Sequence, residues 1–297
     1  MRTPQFESFV SEARLYPELW RVLLGLLLIG FMSLSGTALL LAVASMVIAA
    51  QLGPMGILPF LYGLVQPDRP VEVVLLLGTF GGMFLGVIVA AGTLHFRTPR
   101  SLFGPFGAWA RGFGVALGVI GAVYGVMCGL LFMFDAPVPN LDFGAWLRWM
   151  PVAIALLFVQ IAAEELVFRG YLQQQLAARF KARWIWFWGP AVIFAGLHWA
   201  PEAGGNLPLV LLSALTFGAI AADLTEKTGT LGAAMGLHFG HNFMGLFVVA
   251  MADTLTGLAL FVSPEPIGAM GAQSLSMGGG ILLLVAIWWV TRRILMR

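Results

Sequence analysis

The few charged residues of the chain divide it into long apolar stretches. Eight such stretches lie between charged positions, at 22–67, 73–94, 112–134, 149–163, 184–201, 203–222, 228–252 and 266–291. A helix that crosses a bilayer needs about 20 apolar residues. Because most of the stretches reach that length, the pattern predicts a protein built from membrane-spanning helices.

Two of the stretches differ in length from a single membrane crossing. The first is too long, and the Gly-Pro pair in Gln51–Pro54 breaks it, so 51–67 is predicted to be interfacial or re-entrant. The fourth is short only because Glu164, Glu165 and Arg169 interrupt an apolar run that continues beyond them. The pattern therefore predicts an all-α, polytopic membrane bundle of about eight helices, at 21–49, 72–95, 112–134, 148–178, 184–200, 206–225, 229–251 and 276–295.

The composition excludes a water-soluble globular protein. The 297 residues are 60% apolar and 10% charged, whereas a soluble domain is about 25% charged. A single cysteine excludes a disulfide scaffold and a four-thiolate zinc site. The formal net charge of +2 is too small for a nucleic-acid-binding surface, so the predicted partner is the lipid bilayer and not a nucleic acid.

The distribution of basic residues predicts how the helices are oriented. Of the 16 arginines and lysines, 13 lie at the two termini or in the second, fourth and sixth predicted loops. Loops that are rich in basic residues stay on the cytoplasmic side of a membrane. Both termini are therefore predicted to be cytoplasmic.

The chain has no repeat and no separate soluble domain, which predicts one integral membrane domain in three parts. Residues 1–147 supply the first three helices, 148–251 the helices with candidate chemistry, and 252–297 a loop and the last helix. Within the last part, 254–275 is expected to cap a cavity. Glycines spaced three or four residues apart predict a smooth packing face on the third helix, at Gly114, Gly118, Gly121, Gly125 and Gly129.

Two adjacent glutamates lie inside the fourth predicted helix. A charged carboxylate within a membrane is costly and faces a cavity or a partner. Glu165 and Arg169 are four residues apart and can pair on one helical face. Glu164 is turned about 100° away from that pair, which leaves its carboxylate available for chemistry.

Two histidines and an asparagine lie at a similar depth in other predicted helices. His198 ends the apolar run of the fifth helix, and His238 and Asn242 share a face of the seventh. With a rise of about 1.5 Å per residue, these three residues and Glu164 fall in one layer near or beyond the midplane of the membrane. Their side chains are therefore expected to converge.

Such a set of groups is suited to hydrolysis. A buried carboxylate can activate water, an imidazole can orient that water or carry its proton, and imidazole and amide donors can stabilise an oxyanion. Glu164, His198 and His238 also match a zinc-ligand set, although the chain has no HExxH helix. A polar packing network and the ion relay of a transporter are alternatives that the residue types leave open.

Three short motifs occur in order, each in its own predicted helix. Glu164–Arg169 matches EExxxR, Phe194–His198 matches FxxxH and His238–Asn242 matches HxxxN. In this order the motifs resemble those of the CPBP family of intramembrane proteases, which includes CAAX proteases and bacteriocin-processing (Abi) enzymes. The resemblance covers about 160–245.

The resemblance implies catalytic and supporting residues. Water would be activated by Glu164 with help from His198, and the oxyanion would be stabilised by His238 and Asn242. The supporting residues, which would hold the site in shape, are Glu165, Arg169 and Phe194. His241 lies between motif positions and receives no role.

The resemblance also implies a substrate and a location. It implies an endopeptidase that acts on a membrane-associated peptide or protein in a bacterial plasma membrane. Only one branch of the family takes prenylated CAAX substrates, so prenylation is not part of the expectation. The expected cofactor is either none or a divalent metal such as zinc, bound by Glu164, His198 and His238. The alternative is a non-catalytic protein, either a bacteriocin-immunity member of the family or an ion-binding, transporter-like protein.

Overall fold

Most of the apolar stretches form helices in the computed structural model, which describes residues 2–134 and 136–297. Six helices are long and apolar enough to cross a membrane: Leu19–Leu52, Pro70–His95, Pro99–Phe134, Phe143–Arg179, Pro201–Thr228 and Ala272–Leu295. A shorter apolar helix covers Trp184–Gly196. The predicted all-α, polytopic bundle is confirmed, and the protein is an integral, multi-pass membrane protein.

The helices are numbered along the chain. The short ones are α1 (Pro4–Val10), α3 (Ile57–Gly63), α6 (Pro99–Phe103) and α9 (Gln174–Arg179). The longer ones are α2 (Leu19–Leu52), α4 (Pro70–Gly78), α5 (Phe80–His95), α7 (Phe106–Phe134), α8 (Phe143–Glu165), α10 (Gly189–Gly196), α11 (Leu207–Thr228), α12 (Gly232–Phe243) and α13 (Ala272–Leu295). Turns of 3₁₀ helix cover Glu12–Leu15, Pro54–Gly56 and Pro201–Asn206, and π-helical turns cover Leu166–Gln173, Trp184–Trp188 and Met244–Val248.

The seventh predicted helix is shorter than the sequence pattern indicates. It was expected at 229–251, but α12 and its π-helical turn end at Val248, because the following residues pair as a strand. The segment 51–67 forms a 3₁₀ turn and α3. The count of eight crossings, the cytoplasmic placement of both termini and the division of the chain after residues 147 and 251 stay predictions.

A small sheet has two strands between α12 and the last helix and one strand before α8. β2 (Val249–Ala252) pairs in parallel with β3 (Phe261–Pro266), and β1 (Val138–Pro139) pairs antiparallel with the other edge of β3. In this register Val249 lies opposite Phe261. The sheet therefore ties the end of α12 to the segment 254–275.

Glycines of α12, and not the glycine stripe of α7, permit the close packing of these two helices. A Cβ built on Gly236 would lie 2.5 Å from the carbonyl oxygen of Phe113, and one on Gly232 or Gly240 would meet α7 still more closely. Apart from the adjacent turns of α7 itself, no described atom lies within 4 Å of a Cβ built on Gly114, Gly118, Gly121, Gly125 or Gly129. The predicted packing role of the stripe is therefore wrong within this chain, because α12 packs on another face of α7.

The helices that carry the motifs meet in one region of the bundle. Asp142 directly precedes α8, and its side chain accepts a 2.9 Å hydrogen bond from the backbone N–H of Ala145 and so caps the helix. The helix then packs against α4, α5 and α12. α11 packs against α10, α12 and α13. α12 thus contacts both α8 and α11, and α11 in turn contacts α10, which brings the three motif-carrying helices together.

Buried polar contacts restrain the far end of the α8 segment. Arg97, which follows α5, donates a 2.6 Å hydrogen bond from Nη2 to Oε1 of Gln174. The Nε2 atom of His95 lies 2.7 Å from the hydroxyl oxygen of Tyr171. Burial lowers the pKa of Arg97 to about 10, so the guanidinium remains charged at neutral pH. These contacts fix the turn that carries Arg169.

Candidate active site

The two adjacent glutamates lie where α8 changes into a π-helical turn. Glu165 is the last residue of α8, and the turn Leu166–Gln173 follows it directly. Turns of this kind occur frequently at functional sites. The side chain of Glu165 is fully buried, whereas that of Glu164 is 14% exposed. The two carboxylates therefore have different surroundings, as their adjacent positions on a helix require.

Glu165 joins two buried partners. Its Oε1 atom accepts hydrogen bonds from Nη1 of Arg169 at 3.1 Å and from Nδ1 of His238 at 2.8 Å. Arg169 also donates to the carbonyl oxygen of Gly218 at 3.2 Å. The predicted pair of Glu165 and Arg169 is present. The contact of Glu165 with His238 was not predicted, because the motif spacing groups His238 with Asn242.

Glu164 has one engaged carboxylate oxygen and one without a hydrogen-bond partner. Its Oε1 atom accepts a 2.7 Å hydrogen bond from Nε2 of Gln160. Its Oε2 atom is buried, lies 3.5 Å from Nε2 of His238 and has no hydrogen-bond partner among the described residues. An ionised carboxylate with a free oxygen is able to accept a proton from water.

Gln160 is a site residue that the motif analysis missed. It donates to Glu164 and accepts a 3.0 Å hydrogen bond at Oε1 from Nδ2 of Asn242, so it links two motif residues of different helices. Its position in the sequence could have indicated this role. Apart from Trp149, Gln160 is the one residue of the apolar run 149–163 with a polar side-chain group, and it lies four residues before Glu164, on the same helical face.

A cavity of about 250 Å³ lies beside these groups. Its polar lining comes from the side chains of His198, Ser213, His238, His241 and Asn242. Glu164 does not itself line this cavity. Its carboxylate lies beside His238, and Gln160 links it to Asn242, and both of those residues belong to the lining. Ile267 contributes to the lining, so the segment 254–275 forms part of the cavity wall, and its role as a cap stays a prediction.

His198 lies in the same cavity without a hydrogen bond to the motif residues of α8 and α12. Its Nδ1 atom is 2.8 Å from the carbonyl oxygen of Phe194, one helical turn earlier. The rings of His198 and Phe194 lie 4.4 Å apart between centroids. The ring of Phe194 also lies 4.8 Å from the guanidinium carbon of Arg169. Phe194 thus packs between the imidazole of His198 and the buried ion pair.

The described residues contain no group of side chains arranged as a set of metal ligands. Within 2–134 and 136–297, no group of three or more His, Cys, Asp or Glu side chains is placed to hold a metal ion. Glu164, His198 and His238, the expected ligand set, therefore do not converge on one point. The two expected alternatives, no cofactor or a divalent metal, both stay predictions.

The comparisons with known proteins agree with the motif pattern. Residues 146–244 match the family model described as Rce1-like, type II CAAX prenyl endopeptidase, and this segment contains all three motifs. The resemblance to the CPBP family is thereby confirmed. One curated relative, "Uncharacterized protein YyaK" of Bacillus subtilis (strain 168), is 30% identical over 115 residues. The alignment spans 38% of this chain and 38% of that relative's length. No solved structure gives a significant match.

Proposed function

Residues 146–244 carry the sequence pattern of the Rce1-like family, and from this premise we propose that the protein is an intramembrane endopeptidase. The proposed substrate is a membrane-associated peptide or protein, and the proposed location is a bacterial plasma membrane. Prenylation of the substrate is not part of the proposal. Glu164 is the proposed base, and His198, His238 and Asn242 are the proposed partners of the reacting groups.

One observation carries the proposal. The Oε2 atom of Glu164 is buried and without a hydrogen-bond partner, and it faces an imidazole whose other nitrogen is held by Glu165. An unpartnered buried carboxylate oxygen costs stability. Oε2 of Glu165 is also without a partner, but its Oε1 atom is held by Arg169 and His238. Glu164 makes no ion pair with arginine or lysine, so its carboxylate is the one proposed to accept a proton from water.

The proposed reaction is a direct attack of water. Oε2 of Glu164 accepts a proton as the water oxygen bonds to the scissile carbonyl carbon. The oxyanion accepts hydrogen bonds from Nδ2 of Asn242 and from Nε2–H of His238, which in its doubly protonated form still donates from Nδ1 to Glu165. Glu164 returns the proton to the leaving nitrogen as the C–N bond breaks. The products are a carboxylic acid and an amine, which ionise to a carboxylate and an ammonium group when the acid gives its proton to the amine, and His198 assists the proton transfers.

The buried ion pair positions these groups. Glu165 holds His238 through Nδ1 and is itself held by Arg169. Arg169 is fixed by Gly218 and by the ring of Phe194. Such outer contacts set the orientation and the tautomer of an imidazole that takes part in catalysis. Glu165, Arg169 and Phe194 are therefore proposed to act through His238 and not on the substrate.

The test compares the peptide termini that the protein generates in membranes. Membrane vesicles that contain either the wild-type protein or Glu164→Gln are incubated, and newly formed N-termini are identified by mass spectrometry. The proposal predicts a set of new termini, close to or within membrane segments, that appears only with the wild-type protein. Identical termini in both samples would contradict it and would favour a non-catalytic membrane protein.

A further inference from the structure

The cavity contains a third imidazole that belongs to none of the three motifs. His241 lies in α12, three residues after His238 and directly before Asn242. Its side chain lines the same cavity of about 250 Å³. A histidine in the wall of a proposed active site, next to two proposed catalytic residues, is placed to contact whatever enters that cavity.

Two contacts fix the ring of His241. Its Nδ1 atom lies 2.7 Å from the hydroxyl oxygen of Tyr124, a residue of α7. Its ring also lies nearly parallel to that of Phe217, with 6.4 Å between centroids and 26° between planes. When the hydroxyl of Tyr124 donates to Nδ1, the proton of the neutral imidazole is held on Nε2. Nε2 makes no hydrogen bond with any described residue and is left as a donor.

The chemistry of the lining indicates what this donor would bind. The side chains of the lining include imidazoles, an amide and a hydroxyl, but no carboxylate, lysine or arginine. The remaining lining side chains are apolar: Phe194, Val210, Ala214, Phe217, Met251, Ile267, Met277 and Leu284. In such surroundings a buried peptide carbonyl without a hydrogen-bond donor weakens the binding of the peptide. A peptide that enters the cavity therefore needs a donor for each carbonyl that leaves water or membrane interface.

We propose that His241 is a substrate-binding residue whose Nε2–H donates to a backbone carbonyl oxygen of the peptide, next to the carbonyl of the scissile bond. Tyr124 is the positioning residue that acts through His241. The inference rests on the proposed peptidase function and adds a subsite to it. His238 and Asn242 would bind the carbonyl that reacts, and His241 the neighbouring carbonyl that sets the position of the peptide along the cavity.

The test measures KM and kcat separately, on a synthetic peptide that spans a cleavage site found in the membrane-vesicle experiment. His241→Leu is expected to raise KM about tenfold, because the loss of one hydrogen bond weakens binding by about that factor. The value of kcat should be nearly unchanged. His241→Gln, which keeps an N–H donor, should restore most of the affinity. Tyr124→Phe should raise KM by a smaller factor, whereas Tyr62→Phe, at an exposed tyrosine of α3, should leave both constants unchanged.

A second measurement changes the peptide and leaves the fold of the protein untouched. Replacing one backbone carbonyl by a thiocarbonyl weakens its acceptor, and at one position next to the scissile bond this should raise KM for the wild-type protein but not for His241→Leu. Equal KM values for wild type and His241→Leu, with cleavage intact, would overturn the role of His241 alone. Absence of cleavage by the wild-type protein would overturn the peptidase function and this subsite with it.

Discussion

The side-chain amide of Gln160 donates a 2.7 Å hydrogen bond to Oε1 of Glu164, the residue one helical turn later in α8. The other end of the same amide accepts a hydrogen bond from Asn242 of α12. One neutral side chain thus orients both the proposed base and a proposed oxyanion donor. It also leaves the second oxygen of Glu164 unengaged.

Gln160→Leu is expected to lower kcat by about 10- to 100-fold, because it removes hydrogen bonds to a carboxylate and to an amide. The measurement is the turnover of a peptide substrate by purified protein. Gln173→Leu is the matched control, since Gln173 is also buried but donates to the backbone of Ala222. A similar kcat for both variants would show that the link through Gln160 has no part in the reaction.

The two glutamates should differ in their effect on stability. Glu165→Gln leaves Arg169 buried without its carboxylate and also loosens His238, at a cost of about 3–5 kcal/mol in the free energy of unfolding. Glu164→Gln replaces a partly exposed carboxylate that makes no ion pair with arginine or lysine, so its effect on unfolding should be small. Thermal unfolding in detergent measures the difference. If both variants melted at the same temperature, the structural role of Glu165 would be wrong.

Asn242→Ala should lower kcat by about 10²–10³-fold, as expected for the loss of an oxyanion donor. KM should change far less, because the hydrogen bond to the oxyanion strengthens mainly in the transition state. Steady-state kinetics separate the two constants. A large rise in KM at constant kcat would instead place Asn242 in ground-state substrate binding.

The proposed direct attack of water, with Glu164 as the base, predicts that turnover requires no stoichiometric metal. The metal content of an active, purified preparation tests this directly. One zinc per chain in the wild type, absent from His238→Ala, would contradict the expectation and would make His238 a ligand.

Two glycine substitutions test how α7 and α12 pack. Gly236→Ala brings a methyl group against the carbonyl of Phe113 and should destabilise the fold by about 1–3 kcal/mol. Gly118→Ala meets no described atom and should be neutral or slightly stabilising. Thermal unfolding in detergent compares them. Equal melting temperatures would contradict the close approach of α12 to α7.

The pattern of apolar stretches was sufficient to predict a polytopic helical bundle, because membrane insertion depends on the apolar length of a segment. The glycines of α7 illustrate what such a pattern does not contain. Spacing shows that Gly114 to Gly129 share a face, but it does not show which helix lies against that face. α12 lies against another face of α7 and approaches it through its own glycines.

In the candidate site, too, the contacts within one helix were predictable from the sequence, and the contacts between helices were not. The pairing of Glu165 with Arg169 follows from positions within one helix. The contact of Glu165 with His238 and the link from Gln160 to Asn242 join different helices, so they depend on how α8 and α12 dock. Neither contact has a signature in residue spacing, and both change the environment of the proposed base.

The most direct test of the central claim is the turnover of the synthetic peptide by purified protein in liposomes, with Glu164→Gln as the comparison. The account predicts repeated turnover by the wild type and a loss of at least about 10³-fold in kcat for Glu164→Gln, because its amide cannot accept the proton of water. The variant should retain a melting temperature close to that of the wild type. Near-wild-type turnover by folded Glu164→Gln would contradict the claim that Glu164 activates the water.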